Sequence, residues 1–345
     1  MNKPEYFVGI DIASTTFTSA IGVIGEKWQI VVKPETFENE YDHLEKYKTW
    51  LQAHGLMPSN CVICMEATGV YGEVLAHYLV VQHYPVAVEP PLKVRRAFKP
   101  AGSKSDPVDT RQIAEYAYRF WDELVMWAPR EEILERVKTL LAAREQYVAE
   151  RTGHHNALHA LKRKVVRTDL VEQMHEKTIQ ELTGHIKELE AEISRLIHDD
   201  PDLKAMYDSL TSVPGVKLLL AAHMIVVLQS APQPCTPKTL AAFVGICPYE
   251  HSSGTSIHFT PTSRHFGPPA LRKLLFLASL SIAQHNQHFK TYYARKVLDG
   301  KPKKLVLNNI ANKLLKVMVV VVRSKTKINT EYRSVNPGLL KPALT

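Results

Sequence analysis

The spacing of apolar residues divides the chain into three stretches. In the first, short runs of β-branched and aromatic residues are separated by small polar turns. Tyr6-Phe7-Val8-Gly9-Ile10-Asp11-Ile12 is one such run; a Ser-Thr turn, Phe17–Ile24, the turn Gly25-Glu26 and Trp28–Val32 follow. Connections this short predict an antiparallel meander of three strands. Tyr41, Leu44, Tyr47 and Leu51 then share one helical face within 41–53. Cys61–Met65 is another apolar run, Tyr71–Val81 has helical spacing, and Pro85–Val88 is short and extended before Pro90-Pro91.

The second stretch is helical and more polar. Ile179, Leu182, Ile186, Leu189, Ile193 and Leu196 recur at alternating spacings of three and four, a heptad seam. A looser stripe precedes it, through Ile133, Val137, Leu140, Tyr147, Leu158, Leu161 and Val165, with Gly153 as an expected weak point. Two long antiparallel helices satisfy this pattern, and so does a coiled coil between subunits. His154 and His155 read as surface residues rather than metal ligands.

In the third stretch, Pro214-Gly215 separates Leu210–Val213 from the apolar helix Leu218–Leu228, an arrangement like a helix-hairpin-helix element. Thr239–Val244 reads as a small helix before Gly245, and Cys247–Ser256 as a polar loop. Leu271–Ala283 and Lys304–Val322 read as apolar-faced helices, and the chain from about Ser324 as a poorly packed tail.

The order strand-strand-strand-helix-strand-helix-strand, then a helix, predicts an α/β domain with a mixed sheet of the ribonuclease-H type, followed by an all-α remainder. We read residues 1–128 as the α/β domain, 129–203 as a helical coiled-coil linker and oligomerisation region, 204–325 as a helical C-terminal domain and 326–345 as tail.

Charge sharpens this division. The 345 residues carry 43 Lys and Arg against 35 Asp and Glu, a net charge of +8. Residues 1–130 hold 13 basic and 16 acidic side chains, 131–200 hold 11 and 14, and 201–345 hold 19 and 5. An acidic N-terminal half is thus joined to a C-terminal part that favours polyanions, nucleic acid above all. The 4 cysteines are too few for a disulfide scaffold, and the lone Cys61-x-x-Cys64 lacks the further ligands of a structural zinc site. No signal peptide is visible, and the longest unbroken apolar run, Val317–Val322, is far too short to span a bilayer. A soluble cytoplasmic protein without a membrane partner is expected.

Four acids stand out. Asp11 and Glu66 each end an apolar strand, where an unpaired carboxylate costs several kcal/mol or more. Asp106 and Asp109 lie one helical turn apart at a predicted helix start, beside Pro107. On its own that second pair is also ordinary capping chemistry. Together, four converging carboxylates repel unless a cation holds them, and hard oxygen ligands suit Mg²⁺ or Mn²⁺. Such ions clamp a phosphodiester and activate an attacking oxygen. In the polar loop, Ser253 precedes Gly254, a turn or an exposed hydroxyl that a phosphate can approach. Candidate nucleic-acid contacts are Lys162, Arg163 and Lys164, Gly215, Arg264, Arg272 and Lys273, and Lys303 with Lys304.

These strings together resemble the DEDD insertion-sequence transposases, a group that includes the Piv-type DNA invertases and the bridge-RNA-guided recombinases. The resemblance rests on Val8-Gly9-Ile10-Asp11, Met65-Glu66-Ala67-Thr68-Gly69, Lys104-Ser105-Asp106-Pro107-Val108-Asp109, Val213-Pro214-Gly215-Val216, Ser253-Gly254, and Gly267 with Leu271-Arg272. It implies a RuvC-like Mg²⁺ site formed by Asp11, Glu66, Asp106 and Asp109. It further implies a nucleophilic Ser253, with Ser252 and Ser256 as neighbours in a shifted register. Donor and target DNA, a structured guide RNA made by the element, and a homo-oligomer (a dimer or a dimer of dimers) are the implied partners. Ile257-His258-Phe259 and His265 depart from the basic residues usual in that family. Three other readings compete, and one of them, a pure RNA- or DNA-binding module, explains the basic C-terminal part but leaves the four acids without a purpose. A RuvC-like nuclease would use water as the nucleophile. An actin-like ATPase or kinase would use Asp11–Thr16 as a phosphate turn, but it needs a second Asp-Gly turn and a Gly-rich loop that the sequence lacks.

Overall fold

The first apolar run becomes the middle strand of a five-stranded sheet. The computed structural model describes residues 3–24, 27–67, 69–98, 106–129, 131–230, 236–253, 257–263 and 267–328, with the backbone course alone for 106–108 and 248–262. The chain separates into two compact units, Met1–Pro129 and Arg130–Thr345.

In the first unit, β1 (Tyr6–Ile12), β2 (Thr16–Ile24) and β3 (Trp28–Glu38) form the expected antiparallel meander. Strand β3 runs past the predicted end at Val32. It is an edge strand, and the register shifts where Lys33-Pro34 is passed, so the missing N–H of Pro34 is tolerated there. A short 3₁₀ turn leads into α1 (Leu44–Ala53), then β4 (Cys61–Glu66), α2 (Glu73–Val81), β5 (Val86–Glu89), α3 (Pro91–Arg96) and α4 (Asp106–Arg119). The sheet order is β3-β2-β1-β4-β5, with β1, β4 and β5 parallel.

Strand periodicity sorts the side chains to the two faces. Val8, Ile10 and Ile63 pack with Leu44, Tyr47, Leu51, Leu75 and Leu79 on the α1/α2 side. Phe7, Val62 and Cys64 pack with Ile113, Tyr116 and Ala117 of α4 on the other. Cys61 belongs to the first core and Cys64 to the second, so the CxxC pair cannot share an ion. Burial pushes the Cys61 thiol up to about 12, and both are structural core thiols.

In the second unit, α5 (Glu132–Leu161) and α6 (Asp169–Asp199) form a long antiparallel hairpin. Gly153 does not break α5, because a single glycine inside a long packed helix costs only about 1 kcal/mol. The base of the hairpin shares a core with α7 (Pro201–Thr211), α8 (Leu218–Ser230), α9 (Pro237–Val244), α10 (Pro269–His285) and α12 (Lys303–Ser324). Between α10 and α12 lies α11 (Gln287–Leu298), a helix the sequence pattern does not single out.

The expected loop at 247–256 is instead part of a hairpin, β6 (Pro248–Ser253) with β7 (Ile257–Ser263). Strand β6 lacks apolar alternation and β7 alternates only over Ile257-His258-Phe259-Thr260 before Pro261, so the usual strand signal is weak. The unit is therefore helical apart from one two-stranded ribbon among its described residues. Among the described residues, α12 is long and apolar enough by composition to cross a membrane, yet half of its most apolar window is buried. Val306, Ile310, Leu314, Leu315 and Met318 lie in the unit's core. Of the predicted tail, 326–345, residues from 329 on lie outside the described residues, while Ile328 packs on the core and its N–H donates to Ser212 Oγ at 2.9 Å.

Candidate functional site

Three carboxylates leave the parallel edge of the sheet together. Ile10 is paired with Met65 in the β1–β4 register, so Asp11 and Glu66 follow side by side. Glu66 in turn is paired with Glu89, the last residue of β5. Alternation from Phe7 and Cys64 turns Asp11, Glu66 and Glu89 toward the face covered by α4. That helix brings Asp109 in its first turn.

Gly9 makes this approach possible. A Cβ at Gly9 would stand 2.3 Å from the backbone nitrogen of Ala114 and 2.3 Å from the carbonyl oxygen of Thr110. The backbone of α4 therefore lies directly on β1, and the helix start is held beside the strand end that carries Asp11. Thr110 is fully buried at this contact.

The electrostatics show that the acids share one neighbourhood. The Glu66 carboxyl is raised above its ordinary value, first by burial, then by the negative charge of Asp11; Arg95 opposes the shift and Asp109 adds to it. Like charges from two other elements, β1 and α4, thus act on a half-buried carboxylate of β4. Glu89 is more deeply buried, at 5% exposure, and is held by the ammonium of Lys93 at 3.0 Å. Neither Glu89 nor Arg95 is visible as a site residue in the sequence. Glu89 ends a strand of four residues, and Arg95 stands in a basic run, Lys93-Val94-Arg95-Arg96, that reads as solvated. The signal that marks Glu89 is its place at the end of a third apolar run, after Pro85–Val88; nothing local points to Arg95.

The predicted C-terminal residues sit on separate elements. Ser252 pairs with His258 and Ser253 with Ile257, so Ser253 is the last ladder residue before the hairpin turn. Ser256, Arg264 and His265 lie outside the described residues. Arg272 is occupied: its guanidinium donates to the Val244 carbonyl at 2.8 Å and to that of Gly267 at 3.5 Å, which ties α10 to the end of α9. Lys273, Lys303 and Lys304 are exposed. Lys162 pairs with Glu176 at 2.9 Å, while Arg163 and Lys164 are exposed in the turn after α5. Gly215 has φ +83°, and a Cβ there would meet Ile282 at 2.5 Å, so packing on α10 already accounts for the glycine.

Two family descriptions match the chain: Transposase over residues 8–166, and Transposase IS116/IS110/IS902 family over residues 207–294. The chain belongs to the IS110-type DEDD transposases. Members of this family are enzymes that act on DNA. The chain is 28% identical over 324 residues to the Pilin gene-inverting protein of Moraxella lacunata, covering 92% of this chain and 95% of that one. The same protein of Moraxella bovis gives the same figures. An Insertion element IS110 uncharacterized 43.6 kDa protein of Streptomyces coelicolor is 31% identical over 138 residues, 40% of this chain and 33% of that one.

The first match contains Asp11, Glu66, Asp106 and Asp109; the second contains Gly215, Ser253, Arg264, Arg272 and Lys273 and stops short of Lys303. Membership of a DEDD family implies use of a divalent metal. The donor set fits one: hard carboxylate oxygens, mutually repelling, at a partly buried strand edge. Among the described residues, no three His, Cys, Asp or Glu side chains stand at ligand spacing around one point. The side chain of Asp106, whose helix position is one turn from Asp109, lies outside the described residues.

Proposed function

We propose that this chain is a DNA recombinase of an insertion sequence, or of an invertible segment, that cuts and rejoins strands through a phosphoserine. Asp11, Glu66 and Asp109, with Asp106, would hold Mg²⁺ or Mn²⁺. When bound, the metal supplies positive charge to a scissile phosphate and to the developing oxyanion. Arg95 would neutralise a non-bridging phosphate oxygen beside these acids. Ser253 would be the nucleophile: its Oγ forms a bond to phosphorus as the phosphorus–oxygen bond of the DNA breaks. The serine proton is lost and the departing DNA oxygen gains one. A hydroxyl of another strand then attacks the phosphoserine, and Oγ leaves and recovers its proton. The number of phosphoester bonds is unchanged, so rejoining needs no nucleotide hydrolysis.

The observation that carries this reading is the placement of Asp11 and Glu66 at adjacent parallel strand ends, with the first turn of α4 and its Asp109 laid against β1, in a chain of a DNA-acting transposase family. The net excess of 14 basic side chains in 201–345 supports a polyanionic partner. Lys162, Arg163, Lys164, Gly215, Arg264, Arg272, Lys273, Lys303 and Lys304 are the proposed contacts. Resemblance alone supports a structured guide RNA made by the element and a homo-oligomer. The test is strand exchange with Mg²⁺ between DNA ends of the element. Asp11→Asn and Ser253→Ala should each abolish it, and the wild type should leave a covalent protein–DNA adduct. Cleavage that survives Ser253→Ala while Asp11→Asn is dead would replace the serine with water, the nuclease chemistry.

A further inference from the structure

Helices α11 and α12 carry a positive charge that their own packing does not use. Residues 287–324 hold nine Lys and Arg and one carboxylate, Asp299. Lys296 takes that carboxylate at 2.9 Å, and Arg295 and Lys301 also hold Asp299 low. Nearly three turns into α12, at an exposed position, Lys313 sets its ammonium 3.7 Å from the centre of the Tyr292 ring. Partial burial there, and then the charges of Arg295, Lys296 and Lys316, hold Lys313 below the usual lysine range. Arg295 and Lys296 belong to both groups, so five cations form one connected set around a single acid.

Such a set repels itself, and an external anion relieves the repulsion. We infer that the face formed by Arg295, Lys296, Lys301, Lys313 and Lys316 is a docking surface for the phosphate backbone of duplex DNA. The choice of DNA rests on the recombinase reading above. The choice of duplex rests on chemistry. Binding of single strands relies on open aromatic faces for base stacking. Here the Tyr292 face is covered by Lys313, and Tyr293 packs against the core. What remains is a cluster of cationic heads, which suits phosphates rather than bases. This face belongs to the second unit and the acid cluster to the first, and all five of its residues lie beyond the second family match, which ends at residue 294.

The experiment measures affinity of the full-length protein for a duplex of unrelated sequence across a range of KCl concentrations, by fluorescence anisotropy. The test variant is Arg295→Gln, Lys313→Gln and Lys316→Gln together. The control, Lys177→Gln, Lys187→Gln and Lys204→Gln, removes the same charge from exposed positions on α6 and α7. Each lost phosphate contact lowers the slope of log affinity against log salt by about 0.9, so the test variant should lose about 2.7 and the control none. The loss should be the same for every duplex sequence. Lys316→Gln alone, at an exposed position that no core contact depends on, should lose about 0.9 and guards against misfolding of the triple variant. An unchanged slope in both variants overturns this surface alone. A loss confined to a folded RNA, with duplex binding intact, overturns it in favour of RNA. A wild type that binds no duplex overturns the surface and the recombinase reading together.

Discussion

Replacing Gly9 by alanine tests whether the acid cluster depends on the contact between β1 and α4. The added Cβ would lie 2.3 Å from two backbone atoms of α4, at Thr110 and Ala114. Unbonded carbon contacts settle near 3.5 Å, so the helix must retreat by roughly 1 Å. Neither obstructing atom belongs to a side chain that can rotate away. Overpacking of this kind costs about 1–3 kcal/mol. The functional loss should be larger than the stability loss. Asp109 adjoins Thr110 and moves with it, whereas Asp11 and Glu66 stay with the sheet. A displacement of about 1 Å in a catalytic constellation costs on the order of 100-fold in rate. Single-turnover strand cleavage with Mg²⁺ reads the second effect, and thermal unfolding reads the first. Gly153→Ala is the matched control, because a Cβ there meets nothing within 4 Å inside α5. It should gain about 0.5–1 kcal/mol and leave cleavage unchanged. A Gly9→Ala protein that cleaves at the wild-type rate would refute the claim that this contact sets the site.

Other consequences can be checked as simply. Glu66 has a folded carboxyl raised above its unfolded value, so the folded state holds its proton more tightly; metal-free stability should rise as pH falls from neutral through that raised range. Glu66→Gln should flatten this dependence, stabilise the metal-free protein at neutral pH and remove the thermal shift caused by Mn²⁺. Lys93→Ala leaves Glu89 buried without its cation, so it should cost about 3–5 kcal/mol; Glu89→Gln leaves a lysine that water can reach and should cost less, a ranking readable by chemical unfolding. His154 and His175 face each other across α5 and α6 with ring nitrogens 2.9 Å apart, and His175 continues the seam four residues before Ile179. Replacing both by leucine should extend the apolar seam and raise the melting temperature, with a fall arguing that the imidazole pair is the better packed arrangement.

Much of this site was legible from local pattern. Asp11 and Glu66 announce themselves because each ends a run of apolar residues, and parallel pairing of those runs puts them together. Asp109 is legible as a helix-start acid, yet its convergence with the other two depends on Gly9, whose role appears only when α4 lies on it. Glu89 was missed because its strand is short, and Arg95 because a surface arginine in a basic run carries no positional signal. The β6–β7 hairpin is not legible because Tyr249-Glu250-His251-Ser252-Ser253 does not alternate and its partner alternates over only four residues before Pro261. Helix α11 was missed because its polar residues blur a weak apolar stripe that packs through Phe289, Tyr292, Tyr293 and Val297. The heptad in α6 fixed helix and seam but left the partner open; the partner is α5 of the same chain, as the bonds from Arg144 to Glu190 show. His154, expected at the surface, is instead half-buried against His175.

The central claim is that acids from β1, β4 and α4 act as one divalent-metal site. Titrating Mn²⁺ into the full-length protein, followed by the electron paramagnetic resonance of the free ion, tests it most directly. Wild type should remove the ion from solution, and Asp11→Asn, Glu66→Gln and Asp109→Asn should each weaken that uptake strongly while remaining folded. Uptake unchanged by all three substitutions would contradict the account.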